Sequence, residues 1–186
     1  MKQRPITELI NALKNLGADI TYLEKEGFPP LRIKGKKLHG GRIEIDGSVS
    51  SQFISALMLV APALGEELEI NLKGTIVSLP YIKMTSELLK LFGVFATFNS
   101  QKIVVSPSPF RIINDQFLVE SDWSAASYWF NLVALSKGAQ IELKFLDQFS
   151  LQADSILPEL YTKLGVKTEF ISGGILPYKG DWGRPD

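Results

Sequence analysis

The stretch that decides the fold reads Gly47-Ser48-Val49-Ser50-Ser51-Gln52-Phe53 and continues directly into Ile54-Ser55-Ala56-Leu57-Met58-Leu59-Val60-Ala61. Its first half is small and hydroxylated, and its second half is almost continuously apolar and rich in helix-forming residues. Residues 42–46, which precede it, alternate between polar and apolar side chains as a strand does. The pattern therefore predicts a strand, a tight turn at Gly47 and a buried helix that opens on serines.

The serines at this helix start have two interpretations. A serine oxygen can accept a hydrogen bond from a first-turn N–H group, so the serines could simply cap the helix. The same N–H groups and the positive end of the helix dipole also form a ready site for an anion. A cap needs only one hydroxyl, whereas Ser51 and Gln52 add a second hydroxyl and an amide at the same place. Several polar groups converging there suit an oxygen-rich or phosphorylated ligand.

Composition excludes several classes of function. The chain has 186 residues, enough for one large domain or two small ones, and 20 basic residues balance 20 acidic ones. No overall charge therefore favours nucleic acid or an anionic membrane as a partner. The absence of cysteine excludes thiol chemistry and fits a cytoplasmic protein, and a single histidine is too few for a histidine-based metal site or a catalytic triad. We expect no metal and no cofactor.

The remaining elements follow from periodicity and from turn residues. We predict helices over residues 5–16, 81–92, 124–135 and 154–164, besides the one that starts at Ser50. We predict strands over residues 19–23, 31–34, 43–46, 68–72, 95–98, 103–105, 117–119, 141–143, 168–171 and 175–178.

One helix end recurs three times along the chain. Similar hexapeptides end near Gly17, Gly93 and Gly165, at intervals of 76 and 72 residues. A period of this length indicates repeated βαβαββ subdomains, with half of one unit followed by two whole units. The repeat also offers an internal control, because Ser124 is expected to take the place of Ser50 as a cap, with alanines in the places of Ser51 and Gln52. The polar pair is then not a requirement of the fold.

Three further residues are candidates for binding. Arg4 could hold a carboxylate or phosphate with its guanidinium group, or it could be a solvated charge. Ser78 is expected to cap the helix of residues 81–92, and Tyr81 adds an aromatic hydroxyl there, or else packs in the core. The sequence contains no GxxxxGK or GxGxxG loop and no pair of carboxylates spaced for acid–base chemistry.

Several runs together resemble the 5-enolpyruvylshikimate-3-phosphate synthase family, and the GSVSSQF run followed by VSxPY is the specific part of the likeness. The matching runs are Arg4-Pro5, Pro29-Pro30-Leu31-Arg32, Gly47-Ser48-Val49-Ser50-Ser51-Gln52-Phe53, Val77-Ser78 with Pro80-Tyr81, and Phe117-Leu118-Val119-Glu120 followed by Asp122 and Ala126-Ser127-Tyr128. The family is roughly twice as long, so we expect this chain to match its middle portion.

The resemblance implies an inside-out α/β (α+β) fold of two lobes, each built from βαβαββ units. Residues 1–117 would belong to the N-terminal lobe and residues 118–186 would form the first unit of the C-terminal lobe, with a flexible crossing near residues 117–120. Members of the family transfer the enolpyruvyl group of phosphoenolpyruvate to the 5-hydroxyl of shikimate 3-phosphate and release phosphate. They act in the cytoplasm, as monomers, without metal, nucleic acid or membrane.

The resemblance also assigns the candidate residues. Ser50, Ser51, Gln52, Ser78 and Tyr81 match positions that contact shikimate 3-phosphate, and Gln52 and Arg4 match positions that face phosphoenolpyruvate. The chain departs from the family at Leu79, where lysine is common, and at Trp123, where the family has a small residue. The family's acid–base segments have no counterpart in this sequence, so we expect no catalytic residue here and no transfer by this chain alone.

Two alternatives remain at this point. The UDP-N-acetylglucosamine enolpyruvyl transferases share the fold, and the SVSSQF and VSxPY runs argue against them. A noncatalytic binding module built from the same repeat is the other alternative.

Overall fold

The computed structural model describes residues 2–48, 50–111 and 116–180. The chain separates into two compact units, Met1–Asp115 and Gln116–Asp186. The predicted division after residue 117 lies two residues further along the chain. The assignment of the two units to two lobes of a larger enzyme stays a prediction.

The first unit begins with one helix and a hairpin and continues with a βαβαββ series. The helix α1 spans Thr7–Asn15, and the strands β1, Asp19–Tyr22, and β2, Leu31–Lys34, pair antiparallel. The series comprises β3, Gly41–Asp46; α2, Ser51–Val60; β4, Leu68–Lys73; α3, Leu79–Leu91; β5, Ala96–Asn99; and β6, Lys102–Val105. A short 3₁₀ helix, Ala61–Ala63, follows α2. The predicted α/β class and βαβαββ order are confirmed in this unit.

The sheet of this unit has the order β3-β4-β6-β5. β3 and β4 are parallel, and the other neighbours are antiparallel. A parallel pair needs a crossover, which α2 supplies. Because β3 leads into α2 and β4 into α3, both helices begin at the edge of the sheet where the two parallel strands end.

Alternation along the strands gives the sheet one apolar face and one charged face. The apolar face packs on α1, α2 and α3. The fully buried residues of the sheet include Ile45, Leu68, Ile70 and Ile103, and those of the helices include Ile54, Leu57, Ile82 and Leu89. On the opposite face Glu69 lies 3.2 Å from Arg42 and 2.5 Å from Lys102. The hydrogen bond from Lys102 is the main reason why the pKa of Glu69 lies below its usual value.

The second unit contains α4, Trp123–Leu135; β7, Leu143–Lys144; a 3₁₀ helix, Ala153–Ile156; α5, Leu157–Thr162; β8, Val166–Ile171; and β9, Gly174–Lys179. Its sheet has the order β7-β9-β8, which corresponds to β4-β6-β5 of the first unit. Its own core gathers around Trp123 and Phe130, both fully buried. The Lys179 ammonium donates to the carbonyl oxygens of Ala134 and Leu164, at the ends of α4 and α5.

The strand predicted at residues 117–119 is wrong. These residues form no strand, and their side chains are more than half exposed. A strand at this place would need β7 as a parallel neighbour, and β7 is only two residues long. Glu120 is held within the second unit, since its carboxylate accepts hydrogen bonds from the Trp123 indole at 2.8 Å and the Ser150 hydroxyl at 2.7 Å. The flexible crossing near residues 117–120 stays a prediction.

Over the described ranges, no helix combines the length and the apolar character that crossing a lipid bilayer requires.

Candidate functional site

The turns that follow β3 and β4 are hydrogen-bonded to each other. The Gly47 amide donates to the Lys73 carbonyl at 2.7 Å, and the Val77 amide donates to the Gly47 carbonyl at 3.0 Å. A Cβ at Gly47 would lie 3.1 Å from the Lys73 carbonyl oxygen and 3.2 Å from Ile76, so any larger residue would crowd this close approach and glycine is favoured. The starts of α2 and α3 are therefore held side by side, as the order of the parallel strands dictates.

The start of α2 confirms Ser50 as the N-cap, although its bond is weak. The Ser50 hydroxyl accepts from the Gln52 amide at 3.4 Å. Ser51 is the first helical residue and only 9% exposed, and Gln52 is exposed. Within the described ranges, neither the Ser51 hydroxyl nor the Gln52 side-chain amide has a hydrogen-bond partner. Both polar groups are therefore available to a ligand.

The start of α3 differs from the prediction. Ser78 occupies the N-cap position, but its hydroxyl makes no capping hydrogen bond. Its backbone is left-handed, with φ 61° and ψ 37°, which a serine rarely adopts. The predicted capping role of Ser78 is therefore wrong, because a capping residue ordinarily has an extended backbone and this serine does not. Residues held in such conformations often lie at binding sites.

A pair of hydroxyl groups joins the two helices one turn below their starts. The Ser55 and Thr85 side-chain oxygens lie 2.7 Å apart, and the Thr85 hydroxyl also donates to the Tyr81 carbonyl at 2.9 Å. Residues four apart lie on the same side of a helix, so Ser51 and Tyr81 are placed above this contact on facing sides of α2 and α3. The four-residue spacing of Ser51 and Ser55 and of Tyr81 and Thr85 carried this signal in the sequence, and Ser55 and Thr85 were not predicted.

The structure brings together five of the six predicted residues: Ser50, Ser51, Gln52, Ser78 and Tyr81. Arg4 is exposed, and among the described residues no hydrogen bond or ion pair joins it to the other five. The Ile6 amide donates to the Gly27 carbonyl at 2.9 Å, which anchors the chain two residues after Arg4. The helix that follows starts at Thr7 rather than at the predicted Pro5.

A carboxylate organises the turn that leads to α2. The Ser48 amide donates to Asp46 at 2.8 Å. This hydrogen bond and a second from the Ser48 side chain lower the pKa of Asp46 from its usual 3.8. Asp46 is therefore ionised at neutral pH and is occupied by the turn, so it is not a free acid–base group.

The corresponding helix start in the second unit corrects the internal control. The cap of α4 is Asp122, which accepts from the Ser124 amide at 2.8 Å and the Ala125 amide at 3.3 Å; Ser124 is not the cap. The cap positions therefore match Ser50 with Asp122, Ser51 with Trp123 and Gln52 with Ser124, an interval of 72 residues. Asp122 is the cap because its carboxylate accepts hydrogen bonds from two first-turn amides. The Ser124 hydroxyl instead donates to Asp154.

Other places in the described ranges fit a ligand less well. A groove of about 570 Å³ lies between α1 and β3, but it includes none of the six predicted residues. Two of its cations are already paired, Arg42 with Glu69 at 3.2 Å and Lys73 with Glu44 at 2.6 Å. Among residues 2–48, 50–111 and 116–180, no three His, Cys, Asp or Glu side chains are grouped so as to hold a metal ion.

The chain is similar to known proteins of one family. The model of the family described as EPSP synthase (3-phosphoshikimate 1-carboxyvinyltransferase) matches residues 1–173. The chain belongs to the EPSP synthase family. A 3-phosphoshikimate 1-carboxyvinyltransferase of Bacteroides fragilis (strain YCH46) is 51% identical over 176 residues, which cover 94% of this chain and 42% of that relative. The enzyme of the same name from Aliivibrio fischeri (strain MJ11) is 40% identical over 182 residues, covering 97% of this chain and 42% of the relative.

A solved structure shares the fold of this EPSP synthase family member. The EPSP synthase from Acinetobacter baumannii superimposes with a TM-score of 0.63 at 20% identity, over 95% of this chain and 40% of the other. The chain thus spans about two fifths of the length of the relatives that it matches.

Proposed function

We propose that this chain provides the shikimate 3-phosphate side of the binding site of a 3-phosphoshikimate 1-carboxyvinyltransferase. Membership of the EPSP synthase family supports the reaction class. One observation carries the assignment of the site: two helices start side by side, and their first turns hold hydroxyl and amide groups that have no hydrogen-bond partner among the described residues.

The chemistry of the site fits an anionic, hydroxylated ligand. The two helices begin at the same edge of the sheet, so the positive ends of their dipoles lie on the same side. The hydroxyl groups of Ser50, Ser51, Ser78 and Tyr81 and the amide of Gln52 can donate to phosphate oxygens or exchange hydrogen bonds with ring hydroxyls. Hydrogen bonds to a charged group are worth about 1.5–3 kcal/mol each, so a few of them give a useful affinity.

The second substrate in this proposal is phosphoenolpyruvate, placed near Gln52 and Arg4. The 5-hydroxyl oxygen of shikimate 3-phosphate forms a bond to the second carbon of phosphoenolpyruvate, and the bond from that carbon to the phosphate oxygen breaks. The hydroxyl proton leaves and inorganic phosphate is released. Asp46 is occupied by its turn, so we place the proton-transfer groups in the part of the longer relatives that this chain does not match.

A calorimetric titration of the purified chain tests the proposal, with shikimate 3-phosphate as ligand and shikimate and inorganic phosphate as controls. We expect shikimate 3-phosphate to bind more tightly than either control, because only this ligand offers both a phosphate and ring hydroxyl groups to the site. Equal binding of phosphate and shikimate 3-phosphate would mean an unspecific anion site.

A second assay mixes the purified chain with shikimate 3-phosphate and phosphoenolpyruvate and measures phosphate release. We expect none above a buffer blank, because acid–base and electrostatic groups are each worth orders of magnitude in rate. Release of phosphate would show that this chain carries the proton-transfer groups itself. Binding of UDP-N-acetylglucosamine in place of shikimate 3-phosphate would instead favour the related transferase.

A further inference from the structure

The inference concerns the hydroxyl bridge between α2 and α3. The Ser55 and Thr85 oxygens are 2.7 Å apart, and Thr85 is 6% exposed. Ser55 is half-buried, and the same two helices bury Ile54 and Met58 of α2 and Ile82 of α3 in the core of the unit. A polar pair in such a place forms only when its geometry is satisfied, since a buried polar group without a partner costs about 1–3 kcal/mol.

The hydrogen bond from Thr85 to the Tyr81 carbonyl determines which hydroxyl donates in the bridge. Each hydroxyl has a single proton to donate. The Thr85 proton goes to the Tyr81 carbonyl oxygen, 2.9 Å away, so Ser55 must donate to Thr85. The result is a chain of two hydrogen bonds that runs from α2, through Thr85, to the backbone of Tyr81.

The bridge lies directly below the candidate site. Ser55 follows Ser51 by four residues and Thr85 follows Tyr81 by four. One helical turn is about 5.4 Å, so the bridge is one turn from both site residues, on the sides of the helices that face each other. Apolar contacts hold two helices together but tolerate small sliding. A hydrogen bond of 2.7 Å does not tolerate it, because its strength depends on distance and angle.

We propose that Ser55 and Thr85 are positioning residues, which set the register of α2 against α3 so that Ser51 and Gln52 lie opposite Ser78 and Tyr81. This inference rests on the proposed function of the site. The bridge itself does not touch the ligand; it acts through the first turns of the two helices.

The variants for the test separate the bridge from general packing. Thr85→Val keeps the shape of the side chain and removes the hydroxyl, and Thr85→Ser keeps the hydroxyl and removes a methyl group. Ser86→Ala is the matched control, because Ser86 is the next residue of α3 and its hydroxyl donates to the Ala96 carbonyl on β5, at 3.4 Å. If Thr85→Val does not fold, Ser55→Ala, which breaks the same bridge with a smaller change, takes its place.

The first readout needs no ligand. In proton–nitrogen correlation spectra, Thr85→Val is expected to shift the amide signals of Ser51, Gln52 and Ser78, and Thr85→Ser to restore them. Ser86→Ala is expected to shift signals near Ala96 instead. If Thr85→Val lowers the melting temperature and leaves the Ser51, Gln52 and Ser78 signals in place, the bridge is only a packing element and the proposal fails.

The second readout is the dissociation constant for shikimate 3-phosphate, measured where circular dichroism shows each variant folded. Thr85→Val is expected to weaken binding about tenfold, and Thr85→Ser and Ser86→Ala less than about twofold. Unchanged affinity in Thr85→Val would overturn the positioning role. If the native chain does not bind shikimate 3-phosphate, the proposed function fails, and the spectra alone still decide whether the bridge sets the register.

Discussion

The starts of α2 and α4 occupy equivalent places in two units of one fold, and they differ in how their polar groups are used. At α4, Asp122 caps two amides, the Trp123 amide donates to the Gln152 side chain at 2.9 Å, and the Ser124 hydroxyl donates to Asp154. At α2, the only side-chain cap within the described ranges is the 3.4 Å bond to Ser50. The difference shows that the fold itself does not require open polar groups at a helix start. Their presence at α2 calls for a functional reason.

The network behind α4 makes the contrast sharper. The Glu120 carboxylate accepts from the Trp123 indole at 2.8 Å, the Asp147 amide at 3.2 Å, the Ser150 hydroxyl at 2.7 Å and the Gln152 amide at 3.1 Å. A carboxylate satisfied four times within its own unit has little left for a ligand. The start of α4 is thus stabilised by side chains of its own unit, whereas the start of α2 is left open to stabilisation by a ligand.

The largest expected effect is on the free energy of unfolding, and it compares the first residue of α4 with the first residue of α2. Trp123 is fully buried in the core of its unit, so Trp123→Ala should cost about 3–5 kcal/mol of unfolding free energy. Ser51→Ala, at the equivalent position, should change stability by less than about 0.5 kcal/mol. Urea unfolding followed by circular dichroism measures both, and Trp129→Ala, which removes a half-exposed side chain of the same helix, is the control. Equal costs at Trp123 and Ser51 would remove the contrast.

The next effect concerns Glu120. Glu120→Ala leaves the Trp123 indole and the Gln152 amide without their acceptor and should cost about 3 kcal/mol in the second unit. All three tryptophans belong to residues 116–186, so tryptophan fluorescence during urea unfolding reports this unit. Glu142→Ala, an exposed carboxylate, should be nearly neutral. A small loss for Glu120→Ala would mean that the network is not what holds the start of α4.

A smaller effect distinguishes the two caps. Asp122→Ala removes bonds of 2.8 and 3.3 Å and should lower stability by about 1–2 kcal/mol. Ser50→Ala removes one bond of 3.4 Å and should cost about 0.5 kcal/mol. Thermal melts of both variants make the comparison. A larger loss for Ser50→Ala than for Asp122→Ala would contradict the view that α2 is the less satisfied start.

The smallest effect is the pH dependence of the turn before α2. Ser48 holds the pKa of Asp46 below its usual value, so the stability this carboxylate adds is present above the pKa of the unfolded chain. It is lost as the pH falls through the lower folded-state pKa. The melting temperature of the native chain should exceed that of Asp46→Asn at neutral pH, and the gap should close in acid. Glu66→Gln, at an exposed carboxylate, is the control, and a gap independent of pH would refute the assignment.

Much of the first unit could be predicted from sequence, because alternation and helical periodicity match the burial of its strands and helices. The turn at Gly47, the helix from Ser51 and the βαβαββ order follow from local patterns of this kind. The errors lie where a competing side chain or a neighbour decides. Asp122 displaced Ser124 as a cap because a carboxylate reaches two amides, and the strand at residues 117–119 failed because its neighbour β7 is short. The left-handed backbone of Ser78 has no local signal in the sequence.

The central claim is that Ser51 and Gln52 are left open for a ligand. The affinity for shikimate 3-phosphate of variants at these two positions tests it most directly. Shikimate 3-phosphate is titrated into the native chain, Ser51→Ala, Gln52→Ala and the matched control Ser124→Ala, with thermal melts of all four. We expect Ser51→Ala and Gln52→Ala to weaken binding about ten- to a hundredfold with little change in melting temperature, since each loses a hydrogen bond to a charged ligand. Ser124→Ala should lower the melting temperature and leave the affinity unchanged. Native affinity in Ser51→Ala and Gln52→Ala, together with earlier melting, would show that the pair is structural and would contradict the account.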